Sequence, residues 1–281
     1  MHVLCCRNPG IPNLDPSLVK RIPPEVHVHR ALSPELPFRV RQAVWGLLAH
    51  KRKAAAPVGQ ASRPAAQPSP IKQGIQAVMR RVFCPDPEVI WVPFALRRAR
   101  RIIREHGIDT VLVTAPPYSA LLVGLRLKRE FPQIKFIADF RDEWLDYYLN
   151  AFDFYKGDYL RARATAMERE VAIHASLITA VTPSVHEQMQ RRYSGLPAGK
   201  FALIYNGYDP EAFTNFHARP HGAGKVVISY AGTLHGTSSP KPYFDALDNL
   251  PDNLRDQVET RLMGRITDSE ALNLESRKSA I

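Results

Sequence analysis

The sequence predicts an α/β fold built on a parallel β-sheet. From residue 94 onward, short apolar runs alternate with stretches of helical spacing, a pattern typical of βαβ units. The predicted strands are apolar at nearly every position, as expected where helices cover both faces of a sheet. At 281 residues, 45% of them hydrophobic, the chain is long enough for one large or two small domains.

The predicted elements follow one another in a regular order. Two short strands open the chain, and a proline-rich stretch over residues 54–70 is expected to form a flexible linker. Amphipathic spacing predicts helices at residues 39–48, 71–82, 94–106, 119–131, 159–174, 184–193 and 240–250, with Gly107 ending the third of them. Apolar runs predict strands at residues 3–6, 26–29, 110–114, 135–140, 176–181, 201–205, 226–231 and 260–263.

These elements divide the chain into two parts. Residues 1–215 are predicted to form a nearly complete Rossmann-like domain, and residues 216–225, rich in Gly, Pro and polar side chains, an interdomain linker. Residues 226–281 begin a second domain of the same kind, which usually needs upward of about 100 residues. We therefore expect one nearly complete domain and the start of another.

The chain is strongly basic, with a formal net charge of +11. Such a charge favours anionic partners, whether nucleic acid, an acidic membrane surface or phosphorylated substrates. No apolar run approaches the roughly 18 residues that span a bilayer, and the N-terminus lacks the features of a signal peptide. We expect a protein of the cytoplasm, either free or peripheral at the inner face of the membrane.

The predicted helix at residues 94–106 carries much of this charge, because its spacing separates an apolar face from a basic one. The buried residues are Ala99, Ile102 and Ile103, and the outward-pointing residues are Arg97, Arg98, Arg101 and Arg104. A solvated helix face is the favoured interpretation, and attraction to anionic lipid headgroups is the alternative. Nucleic-acid binding is not expected, because the stretch lacks interleaved stacking aromatics.

Cysteines, histidines and glycines give no sign of a cofactor. Cys5, Cys6 and Cys84 lack metal-ligand spacing and are expected to be reduced thiols. The ten histidines are scattered through the sequence, and neither a P-loop nor a G-x-G-x-x-G run is present. We therefore predict no metal and no nicotinamide cofactor.

Candidate site residues follow the predicted strands, because ligands of open α/β sheets bind at the carboxyl ends of the strands. Asp139, Arg141 and Asp142 lie at the end of the strand at residues 135–140 or directly after it. Two carboxylates around an arginine can orient substrate hydroxyls and stabilise a departing phosphate. A structural Asp–Arg pair that fastens the loop is an equally weighted alternative.

Two further loops carry weaker signals. Asn206 and Gly207 predict a tight turn, because both residue types tolerate a positive φ. Gly232 and Thr233 follow the strand at residues 226–231, where backbone N–H groups and a helix N-terminus can receive a phosphate.

Five segments taken together resemble a known family. In chain order they read VTAPPYSALLVG, FIADFRDEW, LITAVTPSVHEQM, IYNGYDPEAF and ISYAGTLHG, and they lie between about Pro85 and Gly264. Each segment is weak alone, but the order and spacing of all five resemble bacterial GT-B glycosyltransferases of family 4.

The resemblance implies transfer of a sugar, with retention, from a nucleotide-diphosphate sugar to a glycan or lipid-linked acceptor, without a bound cofactor. The catalytic group that it implies is Arg141, Asp139 and Asp142. The acceptor-side cleft and hinge that it implies are Pro117, Tyr118, Ser119, Trp144, Asn206 and Asp209, and the donor contacts are Gly232, Thr233 and Lys241.

The sequence also departs from the family pattern. The chain starts at what resembles the second strand of the family, and the nucleotide pocket would lie beyond residue 281. Thr237 and Ser238 stand where relatives often carry a basic residue after YAGT, so Lys241 is the nearest cation. We therefore expect a chain truncated at both ends, for which a catalytically inactive α/β fragment is the alternative to an active transferase.

Overall fold

The computed structural model describes residues 1–8, 15–34, 74, 78, 81–148, 157–214, 224–235, 238–267, 270–271 and 274. The predicted helix at residues 39–48 and the predicted linker at 54–70 lie outside these residues. Most of the predicted helix at 71–82 and of the predicted linker at 216–225 also lies outside them. The chain forms two compact units, Met1–Gly207 and Tyr208–Ile281.

The first unit is built from short strands and amphipathic helices. Its strands are β1 His2–Cys6, β2 His27–Ala31, β3 Thr110–Ala115, β4 Lys135–Phe140, β5 Leu177–Ala180 and β6 Phe201–Leu203. Its α-helices are α1 Val92–His106, α2 Ser119–Glu130, α3 Asp158–His174 and α4 Pro183–Arg192. These bounds lie within two residues of the predicted ones, and Gly107 ends α1 in the left-handed conformation, as predicted.

The strands of the first unit are parallel. Strands β3, β4, β5 and β6 form one sheet in that order, and β1 and β2 form a separate pair, which confirms the α/β prediction. The register places Ala115 opposite Phe140, Phe140 opposite Ala180, and Ala180 opposite Leu203. The carboxyl ends of the four strands therefore stand together at one edge of the sheet.

Helix α2 lies at the centre of the first unit's core. It contacts β3, β4, α1 and α3, and its residues Leu121 and Leu127 are fully buried. Gly124 allows this close approach to the sheet, because a Cβ atom there would collide with the ring of Phe136. The core thus fixes the start of α2 against the carboxyl edge of the sheet.

The expectation of a sheet covered on both faces is wrong for β3. Val111 and Val113 point to the hydrophobic core, but Leu112 is 61% exposed, and Thr110 and Thr114 on the same face are exposed as well. In the part of the chain that the structure describes, α1 and α2 cover one face of this edge strand. Apolar composition alone therefore overstates how deeply β3 is buried.

The second unit contains β7 Val226–Ala231, α5 Lys241–Asp248, α6 Asp252–Arg255 and β8 Val258–Met263. Strands β7 and β8 pair in parallel, with Ala231 opposite Met263. Phe244 and Leu247 of α5 pack with Leu234 in a small separate core. The described part of this unit is thus a βαβ arrangement with its own hydrophobic centre.

Candidate functional site

The carboxyl edge of the β3–β6 sheet brings four loops side by side. The backbone N–H of Arg141 donates to the Ala115 carbonyl at 2.9 Å, which continues the ladder between β3 and β4 past their ends. The N–H of Ile204 donates to the Ala180 carbonyl at 2.9 Å in the same way between β5 and β6. The loops that follow these strands therefore begin from one rigid edge.

A buried aromatic pair joins the loop after β3 to the loop after β4. The rings of Tyr118 and Trp144 stack with centroids 4.8 Å apart at an interplanar angle of 11°. The Tyr118 hydroxyl donates to the Glu143 carbonyl at 3.0 Å. Tyr118, Ser119 and Trp144 are all fully buried beneath the surface, and their place in an acceptor-side cleft stays a prediction. Pro117, which is partly exposed, stays a cleft candidate.

Asp86 supplies the cap of helix α2. Its Oδ2 accepts a hydrogen bond of 2.8 Å from the backbone N–H of Ser119, and the helix receives no cap from the side chain of Tyr118. Asp86 is almost completely buried, and that burial raises the pKa of its carboxyl group to about 7. Sequence reasoning missed Asp86, because no local pattern connects it to a helix that begins 33 residues later.

Replacing Asp86 by asparagine is expected to flatten the pH dependence of stability. The pKa of this carboxyl rises from 3.8 to about 7 on folding. Its contribution to the free energy of unfolding is therefore fully present below pH 3.8 and is lost as the pH rises through about 7. Asparagine keeps an oxygen acceptor for Ser119 and cannot ionise. We expect the wild type to lose a few kcal/mol relative to Asp86→Asn between pH 4 and pH 8, measured by urea unfolding. The free energy of unfolding could instead fall equally steeply with pH in the wild type and in Asp86→Asn, or flatten equally in the exposed control Asp109→Asn. Either result would show that Asp86 does not titrate in this range.

Arg141 and the two carboxylates around it occupy different environments. Asp139 is buried and accepts a hydrogen bond of 2.6 Å from the Thr179 hydroxyl on β5. The Arg141 side chain is 48% exposed, and its Nη1 lies 3.9 Å from Asp139 Oδ2, a distance of an ion pair rather than a hydrogen bond. Asp142 is exposed. Asp139 therefore links β4 to β5, while Arg141 and Asp142 present charge to the solvent at the carboxyl edge.

Glu143 fixes the backbone that follows Asp142. Its carboxylate accepts the backbone N–H groups of Leu145, at 3.2 Å, and of Asp146, at the start of the π-helical turn Trp144–Tyr148. Arg192, the last residue of α4, donates from Nη2 to Glu143 Oε1 at 2.8 Å. The loop that carries Arg141 is therefore held to α4 by a partly buried ion pair.

Arg192 also neutralises a buried carboxylate on α3. Its Nη1 donates to Glu168 Oε1 at 2.8 Å, and the Tyr193 hydroxyl donates to the same oxygen at 2.7 Å. Glu168 is fully buried, and burial raises the pKa of its carboxyl group in spite of the adjacent guanidinium. Arg192 thus joins α3, α4 and the loop after β4, a role that its position in the sequence does not reveal.

The predicted turn at Asn206 and Gly207 is wrong. Residues 204–209 run without a turn, and Gly207 does not adopt a positive φ. The hydrogen bond of Ile204 to β5 keeps the chain extended, and Asp209 then caps the 3-10 turn Pro210–Phe213 by accepting the Glu211 N–H at 3.0 Å. Asn206 is exposed in the first unit, whereas Asp209 belongs to the second unit.

The predicted donor contacts Gly232 and Thr233 are exposed at the carboxyl end of β7. The Gly232 N–H donates to the Met263 carbonyl at 2.9 Å, and contact of this loop with a phosphate stays a prediction. Gly264 lies against Gly232, with a φ of 130°, and a Cβ atom at Gly264 would collide with the Gly232 carbonyl. Sequence reasoning missed Gly264, although a glycine directly after a predicted strand was the signal for it.

Lys241 is the first residue of α5, and its side chain is 62% exposed. Its Nζ lies 2.6 Å from Asp245 Oδ2, one helical turn later. Such an exposed pair contributes about 0–1 kcal/mol, so an incoming anion can replace the carboxylate at small cost.

Residues 55–212, more than half of the chain, match the family model of Glycosyltransferase Family 4. The chain belongs to glycosyltransferase family 4. No curated protein matches the sequence. Family 4 membership indicates glycosyl transfer in general, and the matched residues include β3–β6 with all the loops at their carboxyl edge.

Helix α1 is amphipathic, as predicted, except at one arginine. Ala99, Ile102 and Ile103 are buried as predicted, and Arg97 is exposed. Arg98 does not point outward as predicted: it is half-buried, and its Nη2 lies 3.4 Å from Nδ1 of His29 on β2, which packs against this helix. Within the described residues, no helix is long and apolar enough to cross a membrane.

Proposed function

We propose that this family 4 chain transfers a hexose from a nucleotide-diphosphate sugar to a glycan or lipid-linked acceptor, with retention of the anomeric configuration. Family membership supports sugar transfer in general. The single observation that carries the more specific proposal is the position of Arg141, a half-exposed guanidinium anchored at the carboxyl edge of the β3–β6 sheet.

Arg141 suits a reaction in which a diphosphate leaves. A guanidinium stays charged at every physiological pH and offers five N–H donors in a planar fork that matches phosphate oxygens. Its backbone is fixed by the hydrogen bond to Ala115, and Asp139 holds the side chain at 3.9 Å without a hydrogen bond that a ligand must break. Preorganised donors of this kind stabilise charge that develops in the transition state.

The exposed groups around Arg141 suit a sugar. Asp142 and Asn206 provide carboxylate and amide oxygens that accept hydrogen bonds from hydroxyl groups, and Pro117 adds an apolar surface in the first unit. In the second unit, the Thr233 hydroxyl and the Lys241 ammonium would contact the donor diphosphate, with the phosphate replacing Asp245. Arg141 would supply positive charge that the leaving group needs, so the proposal requires no bound cofactor.

The alternative is a catalytically inactive α/β protein of the same family. One observation favours it: the Gly232 N–H is used within the β7–β8 pair, which leaves the second unit with fewer backbone donors for a phosphate than the sequence predicts.

The two functions differ in a product assay. The full chain is incubated with UDP- and GDP-hexoses and with oligosaccharide or lipid-linked sugar acceptors, and release of the nucleoside diphosphate is followed. Transfer predicts release that depends on both protein and acceptor, and NMR of the product then reads the anomeric configuration. Release no faster than in buffer for every donor and acceptor pair would favour the inactive protein.

We also propose that the chain works in the cytoplasm at the inner face of the membrane, through the basic face of α1. Arg97, Arg100, Arg101 and Arg104 line a shallow recess together with Glu105. Arg101 is paired with Glu105, and Arg100 and Arg104 with Glu130, but such exposed pairs exchange readily with lipid phosphates.

Reversing two charges on this face is expected to weaken binding to anionic vesicles. Because each arginine near such a surface contributes about 1 kcal/mol, the double variant Arg97→Glu, Arg101→Glu should bind phosphatidylglycerol-containing vesicles about tenfold or more weakly in sedimentation assays. The control Arg191→Glu changes an exposed, paired arginine of α4 instead. Equal binding by all three proteins, or binding to pure phosphatidylcholine, would contradict an electrostatic contact through α1.

A further inference from the structure

Three histidines that lie far apart in the sequence meet at one end of the first unit. His2 begins β1, His29 lies in β2, and His106 is the last residue of α1. His2 Nδ1 lies 3.0 Å from His29 Nε2, and the rings of His2 and His106 stack with centroids 4.2 Å apart. One ring nitrogen from each histidine lies within 4.8 Å of the others. The fold thus concentrates imidazoles that the sequence shows as scattered.

This histidine cluster is separate from the candidate site of sugar transfer. The candidate site lies at the carboxyl end of β3, whereas His106 ends the helix that leads into the amino end of that strand. A strand of six residues spans about 20 Å, so the histidine cluster and the candidate site lie at opposite ends of the strands.

We propose that His2, His29 and His106 bind one transition-metal ion of the class that prefers imidazole, such as Zn²⁺, at a site that joins β1, β2 and α1. Zn–N bonds of about 2.0–2.1 Å place the nitrogens of a tetrahedral site about 3.3 Å from one another. The separations in the cluster, from 3.0 Å to at most 4.8 Å, bracket that value. The rings of His29 and His106 lie nearly parallel to that of His2, at 14° and 27°, so the side chains must turn about their χ angles to direct their nitrogens at one ion. A water molecule or an anion completes the four ligands.

The charge state of the cluster suits a metal. Burial and the repulsion between neighbouring imidazoles lower the pKa of His2, and burial and Arg98 lower that of His29. Both shifts favour the neutral imidazole, which is the form that binds metals, at His2 and His29. The other charged or titratable groups facing the cluster are His27, which stacks on His2 with centroids 4.9 Å apart, the chain's amino group, and Glu105, which acts on His29.

Arg98 is the one described cation that opposes binding at His29. Its Nη2 lies 3.4 Å from His29 Nδ1, so that nitrogen must be unprotonated to accept it. A metal on Nε2 leaves the proton on Nδ1, and the guanidinium must then turn away. Glutamine at position 98 would instead accept the Nδ1–H, as outer-shell partners of metal-binding histidines do. Arg98→Gln is therefore expected to bind the metal more tightly than the wild type.

The test is a titration of the full chain with Co²⁺ and Zn²⁺. We expect one ion per chain, visible absorption bands of tetrahedral Co²⁺, and a higher melting temperature in Zn²⁺. His29→Gln and His106→Gln should each weaken binding by more than about tenfold, the size of loss that even outer-shell changes cause. The control His186→Gln, which removes a histidine of α4, should bind as the wild type does.

Several results would overturn the metal site. They are the absence of tetrahedral Co²⁺ bands in the wild type, a loss of binding in His186→Gln equal to that in the cluster variants, and Zn²⁺ stabilisation that persists in both cluster variants. His106 is exposed, so His106→Gln is expected to fold even if His29→Gln does not, and the far-UV circular dichroism of the metal-free proteins shows which have folded. Tighter binding by Arg98→Gln adds a readout that loss of folding cannot imitate.

Discussion

Replacing Arg141 by alanine is expected to lower the turnover of sugar transfer by about a hundredfold or more, the usual effect of removing one preorganised donor to a developing negative charge. The melting temperature should change little. Arg141 is 48% exposed, and its side chain makes an ion pair at 3.9 Å with Asp139, which keeps its hydrogen bond to Thr179 in the variant. Such a surface change costs about 0.5 kcal/mol or less, which corresponds to roughly 1–2 °C.

Two variants separate the role of Arg141 from a general effect of charge. Arg141→Lys keeps the charge but loses the planar fork, so we expect a turnover between those of the wild type and the alanine variant. Arg191→Ala removes an exposed arginine paired with Glu187 on α4 and should leave turnover unchanged. Unchanged turnover in Arg141→Ala, or a fall of its melting temperature by many degrees, would assign Arg141 to the structure of the loop instead of to catalysis.

Replacing Arg192 by methionine is expected to destabilise the first unit by about 3–5 kcal/mol, because it leaves a buried carboxylate without its counter-charge. Arg192 Nη1 and Nη2 each donate at 2.8 Å, to Glu168 and to Glu143. Glu168 is fully buried, and in the variant it keeps only the Tyr193 hydroxyl as a described hydrogen-bond donor. At about 2–4 °C per kcal/mol, the melting temperature should fall by roughly 10 °C.

A second substitution shows whether the unpaired Glu168 carboxylate causes this loss of stability. The double variant Arg192→Met, Glu168→Gln removes the charge together with its partner and should recover a large part of the lost stability. The coupling is measured by urea unfolding of the two single variants and the double variant. Additive losses would mean that Arg192 stabilises the protein through packing of its aliphatic stem, and that the ion pair with Glu168 contributes little.

Local sequence patterns predicted most of the described strands and helices, although they missed the four-residue helix α6. Strands β4 and β7 have the bounds that the sequence predicts, since their apolar runs begin and end abruptly. Strand β6 is two residues shorter than predicted, because Ile204 and Tyr205 are apolar yet exposed beyond the last paired residue. The errors of this kind arise where a residue's burial depends on which element lies opposite, and composition does not carry that information.

The candidate site was predictable only in part. Arg141 follows from the rule that ligands bind at the carboxyl ends of parallel strands, and that rule needs no tertiary contacts. Asp86 and Arg192 bind partners 33 and 24 residues away, so no local pattern connects them. The burial of Tyr118 was not predictable for the same reason, because it depends on Trp144 from another loop.

Titration calorimetry of the full chain with UDP- and GDP-hexoses tests the central proposal, nucleotide-sugar transfer, most directly, because it needs no knowledge of the acceptor. The proposal predicts saturable heat with one sugar nucleotide bound per chain, and weaker binding after Lys241→Ala, which removes the ammonium paired with Asp245. No heat at millimolar concentrations of every donor would contradict nucleotide-sugar transfer by this chain and leave the inactive family 4 protein as its description.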